Sequence, residues 1–188
     1  MIEIEQRGPW TDARLVLLIG PGGAGKSSLG LELAPHLGRR LIDLDTEFER
    51  RIGGIGAFIR REGYPDYKLR NAALAAELAA ECPAPAVLVT SSGFLTPDNP
   101  EAALAANRAL LAAGSSLCLL PSRDVEQAAR IIVARQMQRP FARGPAREEE
   151  VIRARHPVYA ALGDLVVFSA ASPGEIARAI AAHLSATS

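Results

Sequence analysis

The chain has 188 residues, 48% of them hydrophobic and 22% charged, and a formal net charge of zero. That is one domain with enough apolar material for a buried core, which excludes extended disorder. Zero net charge gives no electrostatic match to nucleic acid or a membrane surface, and no apolar run approaches the ~18–20 residues of a membrane span.

The first twelve residues carry Glu3, Glu5 and Asp12 without an apolar run, so they do not read as a secretory signal. With Trp10 they are expected to pack against a sheet edge. Residues 15–19, Leu-Val-Leu-Leu-Ile, form a continuous apolar run of the kind a strand buried on both faces requires. A glycine-rich turn follows, then a predicted helix over 27–37 with Gly38 at C′. Residues 41–43 are a short second strand. Thr46-Glu47-Phe48-Glu49 has capping-box spacing and predicts a helix start that ends at Gly53-Gly54. A short helix is predicted over 56–62 and a longer alanine-rich one over 65–81, with Pro65 in its first turn.

The third strand is predicted over 86–90 and a helix over 99–113. The fourth strand is 117–120, followed by a helix capped by Ser122 and reaching about 138. Pro140, Gly144 and Pro145 mark 139–147 as a loop. A helix over 148–162 is predicted to break at Pro157. The fifth strand is 165–168, and Ser172-Pro173-Gly174-Glu175 is a second capping box opening the last helix to 184. Five short apolar strands alternating with helices predict a three-layer α/β fold, a five-stranded parallel sheet covered on both faces. No repeat or linker divides the chain, which reads as one domain over 1–188.

Gly20-Pro21-Gly22-Gly23-Ala24-Gly25-Lys26-Ser27 fits G-x-x-x-x-G-K-[ST] and lies between a strand and a helix, the context of a P-loop. Glycines let the backbone wrap an anion, so that the N–H groups of Gly22 through Ser28 converge on phosphate. Lys26 reaches the β- and γ-phosphates, and the Ser27 hydroxyl suits Mg²⁺. Of 21 basic residues only Lys26 and Lys68 are lysines, and this chemistry explains the first. Asp43-Leu44-Asp45 follows the second strand, where strand ends of such sheets line the ligand crevice. Asp43 is placed to hold Mg²⁺ through water, and Asp45 to orient an acceptor hydroxyl or take its proton. The alternative for Asp45 is that it starts the helix at Thr46, where a carboxylate suits the dipole.

From these residues the chain resembles the shikimate kinases. The P-loop is followed by Gly30-x-x-Leu33-Ala34-x-x-Leu37-Gly38 and Asp43-x-Asp45. Further along come Arg139-Pro140-Phe141, similar to the Arg-Pro-Leu that begins that family's lid, and Arg155-His156-Pro157-Val158-Tyr159 with Asp164 close behind. Ser172-Pro173-Gly174 sits where that family packs a proline loop on adenine. The resemblance covers about 15–184. It implies ATP and Mg²⁺ as cofactors, and phosphorylation of a hydroxyl on a small carboxylated polyol, shikimate first among them. It also implies a mobile lid over about 139–150 and an acceptor segment over about 45–75. Lys26 and Arg139 would stabilise the transferring phosphoryl group, and Asp45 would act as base. Lys68, Ser92, Gly93 and Arg155 would meet the acceptor, and Pro173 the adenine; among the arginines of 135–155, Arg135 is a separate candidate to stack on adenine. A cytoplasmic monomer is expected; the two cysteines, Cys82 and Cys118, are too few for a disulfide scaffold or a zinc cluster.

Three departures fall on the acceptor side. Lys68 stands where that family has arginine, replacing a bidentate fork by a point charge. Asn71 stands for the usual glutamate, a coherent change if a lysine needs less of a carboxylate orienter. Ser91-Ser92-Gly93 replaces three glycines. These departures leave open a sister kinase for another hydroxy acid or cyclitol, or a nucleotide-sensing module without catalysis. A nucleoside monophosphate kinase fits less well, because the match extends through Arg155 and Tyr159. Arg143, Arg147 and Arg153 read as surface arginines. His36, His156 and His183 have no metal-ligand spacing, and both cysteines read as small core residues.

Overall fold

The computed structural model describes residues 1–11, 13–138 and 144–187. Its strands are β1 (Glu3–Gln6), β2 (Leu15–Ile19), β3 (Arg40–Asp43), β4 (Ala86–Val89), β5 (Ser115–Leu120) and β6 (Leu165–Phe168). The helices are α1 (Lys26–His36), α2 (Leu44–Arg51), α3 (Ile55–Glu62), α4 (Tyr64–Glu81), α5 (Glu101–Ala112), α6 (Val125–Gln136), α7 (Pro145–Ala160) and α8 (Pro173–Thr187). The sheet runs β1-β6-β5-β2-β4-β3, parallel except for β1, which pairs antiparallel with β6 from Glu3↔Phe168 to Gln6↔Leu165.

The predicted layers are present, but the sheet has six strands rather than five. The N-terminal segment does reach the sheet edge, and it does so as a strand. Its Ile2-Glu3-Ile4-Glu5 alternation is the period-2 pattern of an edge strand. Ile2 and Ile4 pack toward the core, while Glu3 and Glu5 pair with Arg123 and Arg7 at 2.6–2.9 Å. Trp10 packs partly buried on the same side.

Alternate residues of the central strands feed two cores. Val16, Leu18, Val87, Val89, Leu117 and Leu119 face Leu29 and Leu33 of α1 and Ile176 and Ile180 of α8. Leu17, Ile19, Leu88, Cys118 and Leu120 face Phe48, Leu74, Leu78 and Tyr159. Gly30 lets α1 sit close on the sheet, because a Cβ there would lie 2.6 Å from Val89. Gly38 ends α1 at φ +61°, and the Gly38 and Arg39 amides donate back to Pro35 and Ala34, a Schellman closure.

Four expected boundaries move. Asp43, not Thr46, caps α2: its Oδ1 accepts from the Thr46 amide at 3.0 Å, so the helix begins at Leu44. Asp124 rather than Ser122 caps α6, accepting from the Gln127 amide at 2.7 Å. β5 begins at Ser115, since the Ser115 and Ser116 hydroxyls find partners in Thr11 and Asp164. α7 starts at Pro145 and runs through Pro157. That proline removes one ladder bond near the helix end, and burial of His156 and Tyr159 on either side holds the turn. The capping box at Ser172 forms as expected, with Glu175 accepting from both the Ser172 amide and hydroxyl.

Candidate active site

The turn between β2 and α1 is built on glycine. Gly23 and Gly25 have φ of +76° and +103°, and Gly25 caps α1 without offering a side chain. A Cβ at Gly22 would come within 3.3 Å of Gln136 and Ser92, and one at Gly23 within 2.9 Å of Ile132. Side chains there would fill a cavity of about 180 Å³ whose walls include Gly22, Lys26, Ser27, Asp43, Asp45 and Ser92. The first amides of α1 face this concavity, as polyphosphate binding demands.

Lys26 is 8% exposed, and its Nζ donates to the carbonyls of Gly20 at 2.7 Å and Pro21 at 3.1 Å. Burial pulls its pKa down to about 8, with Asp45, Cys118 and Asp43 pulling back. A buried ammonium held by carbonyls and facing a glycine cradle is suited to receive a polyanion. Ser27 and Asp43 share the cavity wall with it, an oxygen donor set suited to Mg²⁺. Among the described residues no three His, Cys, Asp or Glu side chains cluster as a metal cage.

Asp45 lies one residue into α2, on the same wall. Burial pushes its carboxyl above the usual range, while a hydrogen bond from Ser91 and the Lys26 cation pull it down. Ser91 Oγ donates to Asp45 Oδ1 at 2.5 Å, and Asn71 Nδ2 donates to Ser91 Oγ at 2.9 Å. The helix-starting role that a carboxylate at 45 would have filled thus falls to Asp43, and Asp45 faces the cavity.

On one side a cavity of about 290 Å³ opens among Leu119, Arg135, Ala171, Pro173 and Ile176 and shares Gly23, Gly25 and Ser28 with the phosphate cavity. Arg135 Nη1 donates to the carbonyls of Gly23 and Ala24 at 3.3 and 3.1 Å. Arg135 and Pro173 are thereby brought together beside the cradle, across a slot of mixed polar and apolar walls.

On the other side a larger cavity, about 680 Å³, is bounded by Ile59, Tyr64, Asp98, Arg147, Glu150 and Arg155. Arg155 Nη1 donates to Ser92 Oγ at 3.4 Å, and Ser92 is also a wall of the phosphate cavity. The Tyr159 hydroxyl donates to the Ser92 carbonyl at 3.0 Å. Gly93 lies beneath Arg155 and Tyr64, where a Cβ would sit 3.4–3.5 Å from both. Asn99 ties the loop, its amide donating to the Gly93 and Thr96 carbonyls at 2.8 and 2.6 Å.

Lys68 corrects an expectation. It is 4% exposed and pairs with Asp98 at 2.8 Å, its ammonium 4.9 Å from the Tyr64 ring centroid. Burial raises the Asp98 carboxyl, but hydrogen bonds from Lys68 and Thr96 hold it below its ordinary value. The lysine therefore does have a carboxylate orienter, carried by the loop after β4 instead of α4, and Asn71 is released to bond Ser91. Asp98 belongs to no motif and stands 30 positions from its partner, so nothing in the sequence signals it; Ser91 stands out there only as part of the segment that replaces three glycines, without a partner. Arg139 lies outside the described residues. So does the start of the expected lid, whose described part, 144–150, is the cap residue Gly144 and the first six residues of α7.

The model of the shikimate kinase family matches residues 22–185. Curated shikimate kinases from Pseudomonas entomophila and Pseudomonas syringae pv. tomato are 37% and 34% identical to this chain, each match spanning 82% of this chain and 86% of the relative. Among solved structures, a shikimate kinase from Acinetobacter baumannii in complex with shikimate superposes with a TM-score of 0.73. It is 26% identical and covers 92% of this chain and 93% of that one. The glycine cradle, the buried lysine, the cavity-facing Asp45 and these matches agree: the chain belongs to the shikimate kinase family, ATP-dependent phosphotransferases that work with Mg²⁺.

Proposed function

We propose that the protein transfers the γ-phosphoryl group of ATP to the 3-hydroxyl of shikimate, giving shikimate 3-phosphate and ADP. One observation carries this reading. Asp45 and Lys26 face a single small cavity set between the adenine-sized slot at Arg135 and the larger cavity at Arg155. A donor and an acceptor bound on either side would meet there.

The acceptor hydroxyl oxygen forms the new P–O bond, its proton passes to the Asp45 carboxylate, and ADP leaves with the electrons of the broken bond. Lys26 turns from the loop carbonyls to the phosphates and offsets charge on the equatorial oxygens. Ser27 and Asp43 would hold Mg²⁺, which supplies further charge neutralisation when bound. Gly22 to Ser28 cradle the phosphates, and Arg135 and Pro173 sandwich the adenine. Arg155 takes the acceptor carboxylate, with Ser92 and Gly93 beneath it. Lys68 is the cation behind Asp98, for which that carboxylate competes. Arg139 is assigned to the transferring group by resemblance alone. The protein is taken to act as a single-domain monomer in the cytoplasm. The buried thiols of Cys82 and Cys118 suit a reducing compartment, and no described helix is long and apolar enough to cross a membrane.

ADP release coupled to NADH oxidation, with ³¹P NMR of the product, tests the proposal with shikimate. Asp98 in the acceptor wall favours one second reading, a sister kinase for another hydroxy acid or cyclitol. Turnover with such an acceptor but not with shikimate would establish it. ATP binding without transfer to any acceptor would instead mark a sensing module.

A further inference from the structure

We propose that Ser91 is a positioning residue for phosphoryl transfer: held by Asn71, it grips one oxygen of Asp45 and so aims the other at the acceptor hydroxyl. The inference rests on the reading that Asp45 takes the acceptor's proton.

The geometry is directional. Asn71 lies in the middle of α4, Ser91 just past the tip of β4, and Asp45 in the first turn of α2. The three are linked in one line, Asn71 Nδ2 to Ser91 Oγ at 2.9 Å and Ser91 Oγ to Asp45 Oδ1 at 2.5 Å. Asn71 and Ser91 are 4% and 5% exposed. A serine hydroxyl has one proton and two lone pairs. An ionised carboxylate only accepts, so that proton belongs to Asp45. The amide face of Asn71 must then point at Ser91, because its carbonyl face would need the same proton. Asn71 thereby locks the hydroxyl rotor in the orientation that serves Asp45.

The consequence for catalysis is orientational. With Oδ1 occupied, the carboxylate plane is pinned, and Oδ2 is left as the oxygen to serve an acceptor in the cavity whose wall Asp45 shares with Lys26. A pinned base keeps the acceptor oxygen near its attack line, and loss of such support costs rate more than binding. The two departures at Asn71 and Ser91, 20 positions apart, are thus one device, a second-layer support that a glycine at 91 does not provide.

The test uses the full-length protein with Ser91→Ala, Ser91→Gly, Asn71→Ala and the Ser91→Ala/Asn71→Ala pair. For Ser91→Ala the expected result is a kcat about 10–100-fold lower with KM for ATP within about twofold of wild type. Asn71→Ala loses less, and the pair loses no more than Ser91→Ala alone, because Asn71 acts through Ser91. Wild-type kcat in both Ser91 variants would overturn the proposal. So would full additivity in the pair, or a matched loss in kcat and ATP binding, which is the signature of a merely structural role. A melting cycle needs no acceptor substrate: Ser91→Ala lowers Tm further in the wild-type background than in Asp45→Ala, which removes the accepting oxygen, and equal shifts would overturn the bond. If shikimate is not turned over but another hydroxy acid is, the acceptor assignment fails and the positioning role is scored on that acceptor.

Discussion

Binding of a polyphosphate to the glycine cradle will change the protonation of Lys26. In the nucleotide-free protein its ammonium is buried against the Gly20 and Pro21 carbonyls, and burial lowers its pKa from 10.5 to about 8. Phosphate oxygens at the same place restore the charged form. ATP binding is therefore expected to take up about 0.1 proton at pH 7, about 0.5 at pH 8 and about 0.9 at pH 9. The γ-phosphate of MgATP is already ionised across this window and contributes no opposing trend. Calorimetry in buffers of different ionisation enthalpy reads the uptake directly, and Lys26→Met removes its pH dependence. The linked sign for folding is also set. Between about pH 8 and 10.5 the unfolded chain holds more protons at residue 26 than the folded one. Stability of the nucleotide-free protein thus gains from this group as pH rises, by a total on the order of 3 kcal/mol. Proton uptake that stays flat from pH 7 to 9, in wild type and Lys26→Met alike, refutes this account of the lysine.

Arg155→Lys is expected to raise KM for the acceptor about 10–100-fold while leaving KM for ATP unchanged, because a fork is replaced by a point charge on the acceptor side only; steady-state kinetics with each substrate varied decides it. Asp98→Asn leaves Lys68 buried without its carboxylate. Since Asp98 is itself half exposed, the expected loss is about 1–2 kcal/mol in urea denaturation. Gly23→Ala sets a Cβ 2.9 Å from Ile132 at φ +76° and closes the cradle, so ATP affinity measured by calorimetry falls by at least about tenfold. Asp45→Asn keeps ATP binding and lowers kcat by about 10²–10⁴-fold, read in the coupled ADP assay.

Much of this protein is legible before any coordinates. Apolar runs such as 15–19 and 165–168 are long enough for strands and too short for helices, and the intervening helices force parallel pairing. The P-loop announces itself because its chemistry depends on contiguous residues: glycines at positive φ, a lysine and a hydroxyl within eight positions. The edge strand at Glu3–Gln6 is less visible, since four alternating residues, Ile2 to Glu5, are a weak signal beside a five-residue apolar block. Helix starts at Asp43 and Asp124 went to the wrong residue because several cap-competent side chains stand close together, and the one whose oxygen reaches an amide is selected by how the chain enters the helix.

The acceptor side is different in kind. That Lys68 pairs with Asp98, and that Asn71 serves Ser91 and through it Asp45, depends on α2, α4 and the loop after β4 converging from positions up to 46 residues apart. Local spacing carries no information about such meetings. The phosphate cradle is legible along the chain, because phosphate recognition uses neighbouring backbone amides. Which cation is already neutralised, and which hydroxyl steadies the carboxylate, emerged from packing alone, because side-chain pairing in a buried wall is settled by distances that folding creates.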